Sequence, residues 1–371
     1  MVRSPINAVA TKRYVALDAL RGLAALIVVF HHSLLILPGY TDAMESNWLL
    51  RPFIAGPSAV YVFFVLSGFV LFLLFYGKDG HHLTAFAARR LLRLYPPVFA
   101  AVLVALLIVR AIDPQPIPML TAWFNDAWQH PLTVGYVLKH LTLWDHVLPM
   151  NTPLWSIVVE LRLSLIFPLI ALAIVKRPNL TVAFCLVISI LCRLYARKLA
   201  PASSGSLVVD GQYLVLFAAG AWLAFNQHRV APLVACRANV SLTIAALVVG
   251  VGITSCSPFA FGGIATMGGA ILLVALFAFN PAVERWVDRP LFHALGRISY
   301  SLYLIHVVVI MASVHLLTGR MPPIMAISFG LIACIPVAAA MVHFVERPSI
   351  RLSREVGARL SASVKTRVTA I

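Results

Sequence analysis

Charged side chains are scarce in this chain. Only 11% of its 371 residues are Asp, Glu, Lys or Arg, while 61% are hydrophobic; soluble domains carry about 25% charged residues. The deficit excludes a water-soluble globular protein, and no stretch is polar enough for a separate soluble domain of useful size. Acidic residues are the rarer sign, 13 against 29 basic, for a formal charge of +16. A cationic excess can mean nucleic acid. Here the basic residues are spread among short loops between apolar runs, and no basic face alternates with stacking aromatics, so no nucleic-acid partner is expected. Cysteine is sparse as well: Cys185, Cys192, Cys236, Cys256 and Cys334 stand singly, with no CxxC pattern. Neither a disulfide framework nor a zinc site is indicated. His130, His140 and His146 also lack metal-ligand spacing, so no metal is expected.

What is present is a series of long apolar runs. At about 1.5 Å per residue, some twenty apolar residues cross a hydrocarbon core of roughly 30 Å. Hydropathy predicts about ten spans, over 15–37, 53–76, 95–112, 154–175, 180–199, 211–227, 240–257, 262–280, 299–317 and 323–344. The expected fold is an all-α polytopic integral membrane protein, about ten transmembrane helices around an interior cavity. Placing the N-terminus in the cytoplasm puts about twenty Lys and Arg on the inner side, among them Lys12, Arg13, Arg89, Arg90, Arg93, Lys176, Arg177, Arg229 and Arg237, against about seven outside. By the positive-inside rule both termini are then cytoplasmic. Arg193, Arg197 and Lys198 run against the rule at the fifth span. The organisation that follows is a cytoplasmic N-terminal segment over 1–14, a transmembrane domain over 15–346 with a long outer loop at 113–152, and a basic cytoplasmic tail over 347–371. The first run is too long for the apolar region of a signal sequence and lacks a small-residue cleavage site, so it is expected to stay as an anchor.

That first run, VALDALRGLAALIVVFHHSLLIL, carries Asp18, Arg21, His31 and His32. Ionisable groups at membrane depth are costly enough to be functional by default. Arg21 and His32 are eleven positions apart. At about 100° per residue this spacing returns to within roughly 20° of the same face, about 16 Å along the axis. His31 points away from that line. One helix can therefore present a guanidinium near one membrane surface and an imidazole deep inside, both towards one interior cavity.

Further polar landmarks follow in order. In the second span Ser67 and Gly68 suit close helix packing, and the Ser67 hydroxyl can bond across helices. In LTAFAARRLLRLYPP, at 83–97, Arg89, Arg90 and Arg93 fall within roughly 100° of one another on a helix. Pro96 predicts a break at Tyr95 before the third span. The three arginines read either as an interfacial helix against anionic lipid headgroups or as a clamp for phosphates. The outer loop is rich in Pro and aromatics; Trp123, Trp128 and Trp144 read as interface anchors or as stacking surfaces for a sugar. In the fourth span Glu160 and Arg162 lie about 200° apart and cannot share a face. A buried Glu160 needs a cation, Arg21 or His32 being candidates, or it stays neutral; Arg162 reads as a packing counter-charge. The ninth span opens GRISYSLYLIHVVV, where His306 reads as a hydrogen-bonded core residue. The tenth ends HFVERPSIR, with Glu346 and Arg347 at its inner boundary, Pro348 stopping the helix and a mobile tail beyond.

Taken together, these stretches resemble the membrane acyltransferase-3 family. Arg21 and His32 match its Arg-x10-His signature within the lead-in LDALRGLAAL, and FFVLSGF matches a common second-span segment. Arg90 and Arg93 match its Arg-x-x-Arg motif, Trp155 and Glu160 a recurring Trp…Glu segment, and the GRISYSLYLIH and HFVERPSIR stretches follow in the family's order. The resemblance implies a membrane-bound O-acyltransferase. It would move an acyl group, expected to be acetyl, from cytoplasmic acyl-coenzyme A to a hydroxyl of an envelope or exported glycan, or of a small molecule as in a few relatives. Acetyl-coenzyme A is the implied donor, held by Arg90 and Arg93 with Arg89 beside them. His32 would act as general base on the acceptor hydroxyl or be acylated itself, assisted by Arg21 and Glu160. Membrane lipids are the other expected partner, and a stand-alone form without an SGNH-type esterase domain is expected. The same charged residues would also suit a proton-coupled or solute transporter. Against that, the sequence shows no clear internal repeat or paired broken helices.

Overall fold

The computed structural model describes residues 14–40, 47, 51–77, 82–198, 206–235 and 262–369. The helices that position the site are, in chain order, α1 (Val15–Leu35), α2 (Gly56–Phe75), α3 (Leu83–Ile112), α4 (Ala122–Ala127), α5 (Val134–Thr142), α6 (Leu154–Lys176), α7 (Pro178–Lys198), α8 (Ser206–Phe225), α9 (Gly262–Phe279), α10 (Pro290–Leu317), α11 (Pro323–Met341) and α12 (Arg347–Thr369). Among the described residues there is no strand. Eight helices there are long and apolar enough to cross a membrane, and the pair Gly263–Phe279 and Pro281–Val287, bent by 81°, makes a ninth if counted as one span. The chain is an all-α polytopic membrane protein. The expected span 240–257, together with Lys12, Arg13, Arg237 and the side chains of Arg197 and Lys198, lies outside the described residues.

Lipid tails are as apolar as leucine, so helices in a bilayer associate through close packing rather than hydrophobic exclusion. Glycine supplies that closeness at the contact that matters most for the site. A β-carbon on Gly22 of α1 would lie 2.8 Å from the Leu295 backbone, and one on Gly296 of α10 would lie 2.7 Å from the Asp18 carbonyl oxygen. The two backbones therefore touch, which brings Arg21 of α1 beside Ser299 and Tyr300 of α10. α2 runs through the middle of the bundle with Phe64, Phe69, Phe72 and Phe75 fully buried, packed by α1, α6, α8 and α9.

Two expectations about proline fail for one reason each. α3 does not break at Tyr95 but continues for 30 residues through Pro96 and Pro97. Proline lacks the N–H that would bond the carbonyl four residues back, here those of Leu92 and Arg93. Ser349 of α12 donates its hydroxyl to the Leu92 oxygen and approaches the Arg93 oxygen at 3.5 Å, so another helix satisfies the backbone that proline frees. Pro348 does not stop the last helix either. A π turn at Val342–Glu346 joins α11 to α12, and Pro348 falls second in α12, where its missing N–H is not needed. The tail expected to be mobile is helical through Thr369. Ser349, Ser353, Gly357 and Ser361, spaced by four, form its buried small-residue stripe, and α12 packs along α3.

The segment between α3 and α6 is folded onto the bundle rather than spread at an interface. Thr121 caps α4 by accepting from the Phe124 N–H, and its hydroxyl donates to the Leu35 carbonyl at 2.6 Å. One residue thus ties the start of α4 to the last turn of α1 and carries Trp123 over it. Trp128 is buried and donates to the Met150 carbonyl at 3.2 Å, so it is a core residue, not an interface anchor. After a short turn at Pro149–Asn151 the segment dips into the bundle. Asn151 is fully buried and donates to the Leu304 carbonyl, halfway along α10, at 2.8 Å.

Candidate active site

One cavity of about 90 Å³ lies where α1, α2, α3, α6, α10 and the π turn meet. Arg21, Arg90, Arg93, Glu160 and Glu346 line it, with Ser67, Ser156, Ser299, Tyr300 and Tyr303. A single water needs about 10–15 Å³ on this measure. The cavity therefore admits a short file of waters or a thin chain, not a nucleotide. Its charges are partly paired. Arg90, 6% exposed, donates through Nη2 to Glu160 Oε1 at 2.8 Å, and the Ser67 hydroxyl donates to the same oxygen at 3.2 Å. Glu346 accepts from the Ser301 hydroxyl at 2.6 Å. Arg21 pairs with Asp18 one turn away at 3.3 Å. The partner of Glu160 is thus Arg90, neither Arg21 nor His32, because α6 meets α3 at that depth. The Arg93 side chain makes no direct hydrogen bond or ion pair among the described residues, although Glu160 and Glu346 share its cavity and act on its charge, and Arg90 Nε is buried without a partner. Unspent guanidinium donors facing a cavity suit an anionic ligand.

Arg89 stands apart from this group. Its guanidinium turns to α12, where Nη2 donates to the Ser361 hydroxyl at 3.1 Å and to the Gly357 carbonyl at 3.5 Å. Of the three arginines, Arg90 and Arg93 line the cavity and Arg89 braces the C-terminal helix.

His32 also lies outside the cavity lining, against the expectation that it shares one chamber with Arg21. Both stand on α1, and the turn leading into α6 is tied to the middle of α10 by Asn151, which donates to the Leu304 carbonyl. Tyr303 closes the cavity there, sharing a 2.6 Å hydrogen bond with the Ser156 hydroxyl and donating to the Pro153 carbonyl at 3.4 Å. Beyond that wall sits fully buried His306, whose Nε2 is 3.0 Å from His32 Nδ1. His32 is half-buried, its ring stacked on Trp123 with centroids 5.7 Å apart. Its Nδ1 is 3.0 Å from the Val28 carbonyl oxygen, and its Nε2 makes no hydrogen bond among the described residues. Neighbouring His31 meets the His32 ring edge-on, centroids 5.3 Å apart, and has its own Nδ1 2.8 Å from the Ile54 carbonyl oxygen.

The sequence reading does not single out Tyr303, Ser156, Ser299 or Glu346 as site residues. A signal was available: Ser299, Tyr303 and His306 recur at i, i+4 and i+7, one face of α10. Other polar groups are structural. Arg193 lies within α7, not in a loop; it donates to the Tyr61 hydroxyl at 2.9 Å and sits over the rings of Tyr61 and Tyr213 at 5.5 and 5.7 Å. A cation held by aromatic faces inside the bundle does not count towards the loop charge rule. Arg162 and His146 both bond buried Asp210, at 3.2 and 2.9 Å, which pins the segment between α3 and α6 to α6 and α8. Among the described residues no group of three or more His, Cys, Asp or Glu side chains is placed to hold a metal ion.

The model of an acyltransferase domain, that of the acyltransferase-3 family, matches residues 14–343. The chain is 26% identical over 368 residues to acyltransferase MdmB of Streptomyces mycarofaciens, covering 92% of this chain and 93% of that protein. It is 24% identical over 373 residues to peptidoglycan O-acetyltransferase OatA of Listeria monocytogenes, covering 91% of this chain and 56% of that longer protein. No solved structure matches. With the family model matched from the start of α1 to the π turn, the chain belongs to the acyltransferase-3 family of membrane acyltransferases.

Proposed function

We propose that this protein transfers an acyl group, acetyl in the simplest case, from acyl-coenzyme A to a hydroxyl group of an extracytoplasmic glycan. The observation that carries the reading is a cavity with spare guanidinium donors whose far wall leads, through Tyr303 and His306, to an imidazole with a free Nε2. The peptidoglycan named for one relative supports a glycan as acceptor. With the N-terminus in the cytoplasm, the transmembrane domain over 15–346 presents Arg21, Arg90 and Arg93 on the cytoplasmic side. The coenzyme's phosphates then stay at the cavity's mouth, held by Arg90 and Arg93, because the cavity is too small for the nucleotide. The thin pantetheine arm carries the thioester inward.

His32 receives the acceptor from the opposite side. Its Nε2 takes the proton of the acceptor hydroxyl as that oxygen attacks the thioester carbonyl carbon. The tetrahedral intermediate then expels the coenzyme thiolate, which takes the proton back from the imidazolium, leaving ester, free thiol and neutral His32. A general base contributes about 10²–10⁴-fold. Arg21 lies about 16 Å along the helix from His32, too far to touch the oxyanion, so its charge acts on the donor. Glu160 fixes Arg90 rather than moving a proton. For the thioester to meet His32, the contact between Tyr303 and Ser156 must open during turnover.

The test is acyl-group balance in purified protein: acetyl-coenzyme A labelled in the acetyl group, offered with a panel of glycans, with free thiol and labelled ester both counted. Equal amounts of thiol and ester are expected with one glycan class. Flux of a solute with no thioester consumed would replace the enzyme by a transporter.

A further inference from the structure

We propose that His306 is a positioning residue for the transfer reaction: together with the Val28 carbonyl it holds His32 in the tautomer with the proton on Nδ1 and the lone pair on Nε2. The proposal deepens, and rests on, the reading of His32 as the base.

Donors and acceptors around the two imidazole rings must match. His306 Nδ1 lies 2.8 Å from the Tyr303 carbonyl oxygen and 3.1 Å from that of Leu302. Carbonyl oxygens only accept, so His306 Nδ1 must carry a hydrogen, and in a neutral ring Nε2 then accepts. That Nε2 faces His32 Nδ1 at 3.0 Å, so His32 Nδ1 donates. The Val28 carbonyl oxygen, also 3.0 Å from His32 Nδ1, makes the same demand. A second proton on His306 would have to be donated to His32 Nδ1, leaving a lone pair there against the Val28 oxygen; the geometry resists it. Every neighbour therefore places the His32 hydrogen on Nδ1. The lone pair is left on Nε2, the atom with no partner among the described residues.

The arrangement is a base oriented by a third group, the logic of hydrolytic triads, with a neutral imidazole where those use a carboxylate. When Nε2 takes the acceptor's proton, the hydrogen bond from His32 Nδ1 to His306 becomes charge-assisted and strengthens. Stacking on Trp123 keeps the ring in the plane this bond requires. His306 touches neither cavity nor substrate, so it acts only through His32.

Substitutions at His306 separate orientation from packing. Glutamine can place an amide oxygen where Nε2 was and still accept from His32; asparagine is too short, and leucine has no acceptor. His306→Leu and His306→Asn are expected to lower kcat about 10²-fold or more with donor KM within about twofold, and His306→Gln to recover kcat to within about tenfold of wild type. Independently of any variant's folding, wild-type protein carrying 15N-histidine, with His32 assigned by difference against His32→Gln, should show a protonated Nδ1 and an unprotonated Nε2. A His32 hydrogen on Nε2 would overturn the proposal. So would His306→Leu turning over at the wild-type rate while His32→Ala is inactive, which leaves the base reading intact. Full activity of His32→Ala would overturn that reading, and the nitrogen signature would still decide the tautomer.

Discussion

Arg90 and Arg93 sit one turn apart in the same cavity, yet removing them should have opposite consequences. Arg90→Ala strands Glu160, whose side chain is 20% exposed and whose ion pair is the 2.8 Å contact to Arg90. Breaking a buried pair by removing one partner costs about 3–5 kcal/mol, and the lower end applies because Glu160 keeps the Ser67 hydroxyl and some solvent. Arg93→Ala breaks no direct hydrogen bond or ion pair of its side chain among the described residues, though it removes a cation whose charge acts on Glu346 across the cavity. It also removes one of three cations crowded with two carboxylates, so stability should be unchanged or slightly higher. Donor affinity should respond in the other sense. A hydrogen bond to a charged group is worth about 1.5–3 kcal/mol, or roughly tenfold to a hundredfold in binding. Arg93→Ala should therefore raise the KM for acetyl-coenzyme A by roughly that factor at wild-type stability, with acceptor KM little changed. The assays are thermal unfolding in detergent and thiol release over a donor titration. If Arg93→Ala destabilises as much as Arg90→Ala, or leaves the donor KM unchanged, the assignment of Arg90 to both the Glu160 pair and the donor, and of Arg93 to the donor alone, is wrong.

Three further outcomes follow from packing and hydrogen bonding. Gly296→Leu should prevent the backbone contact between α1 and α10 and abolish accumulation of folded protein, whereas the same change at Gly135, whose surroundings are open, should be tolerated; expression and monodispersity report both. Ser349→Ala leaves the Leu92 carbonyl beside Pro96 unsatisfied, which should cost about 1–3 kcal/mol in thermal unfolding without changing donor KM. Tyr303→Phe keeps the ring but loses the hydrogen bonds to Ser156 and Pro153, so the wall should open more readily: kcat unchanged or raised up to about threefold, stability lower by about 1 kcal/mol. A tenfold fall in kcat would show instead that the hydroxyl takes part in the chemistry.

These expectations depend on contacts with very different visibility in the sequence. Apolar runs long enough to span a bilayer announce the helices, and Arg21 and His32 do stand on one continuous helix, Val15–Leu35. Spacing along one helix says nothing about what fills the volume between two levels of it, and the turn before α6 closes that gap. The partner of Glu160 depends on the depth at which α6 meets α3, 70 positions away. The survival of α3 through Pro96 and Pro97 depends on a serine 257 positions from the carbonyl it satisfies. His306 reads locally as a hydrogen-bonded core residue, which it is. Only its contact with His32, 274 positions distant, gives that burial a use. Arg193 breaks the loop charge rule because its partners, Tyr61 and Tyr213, come from α2 and α8.

The central claim is that His32 Nε2 takes the acceptor's proton. Thiol release from acetyl-coenzyme A, measured with saturating acceptor on wild type and on His32→Ala of equal thermal stability, tests it most directly. A fall in kcat of at least about 10²-fold is expected, with donor KM little altered. Release by His32→Ala within about threefold of wild type would contradict it.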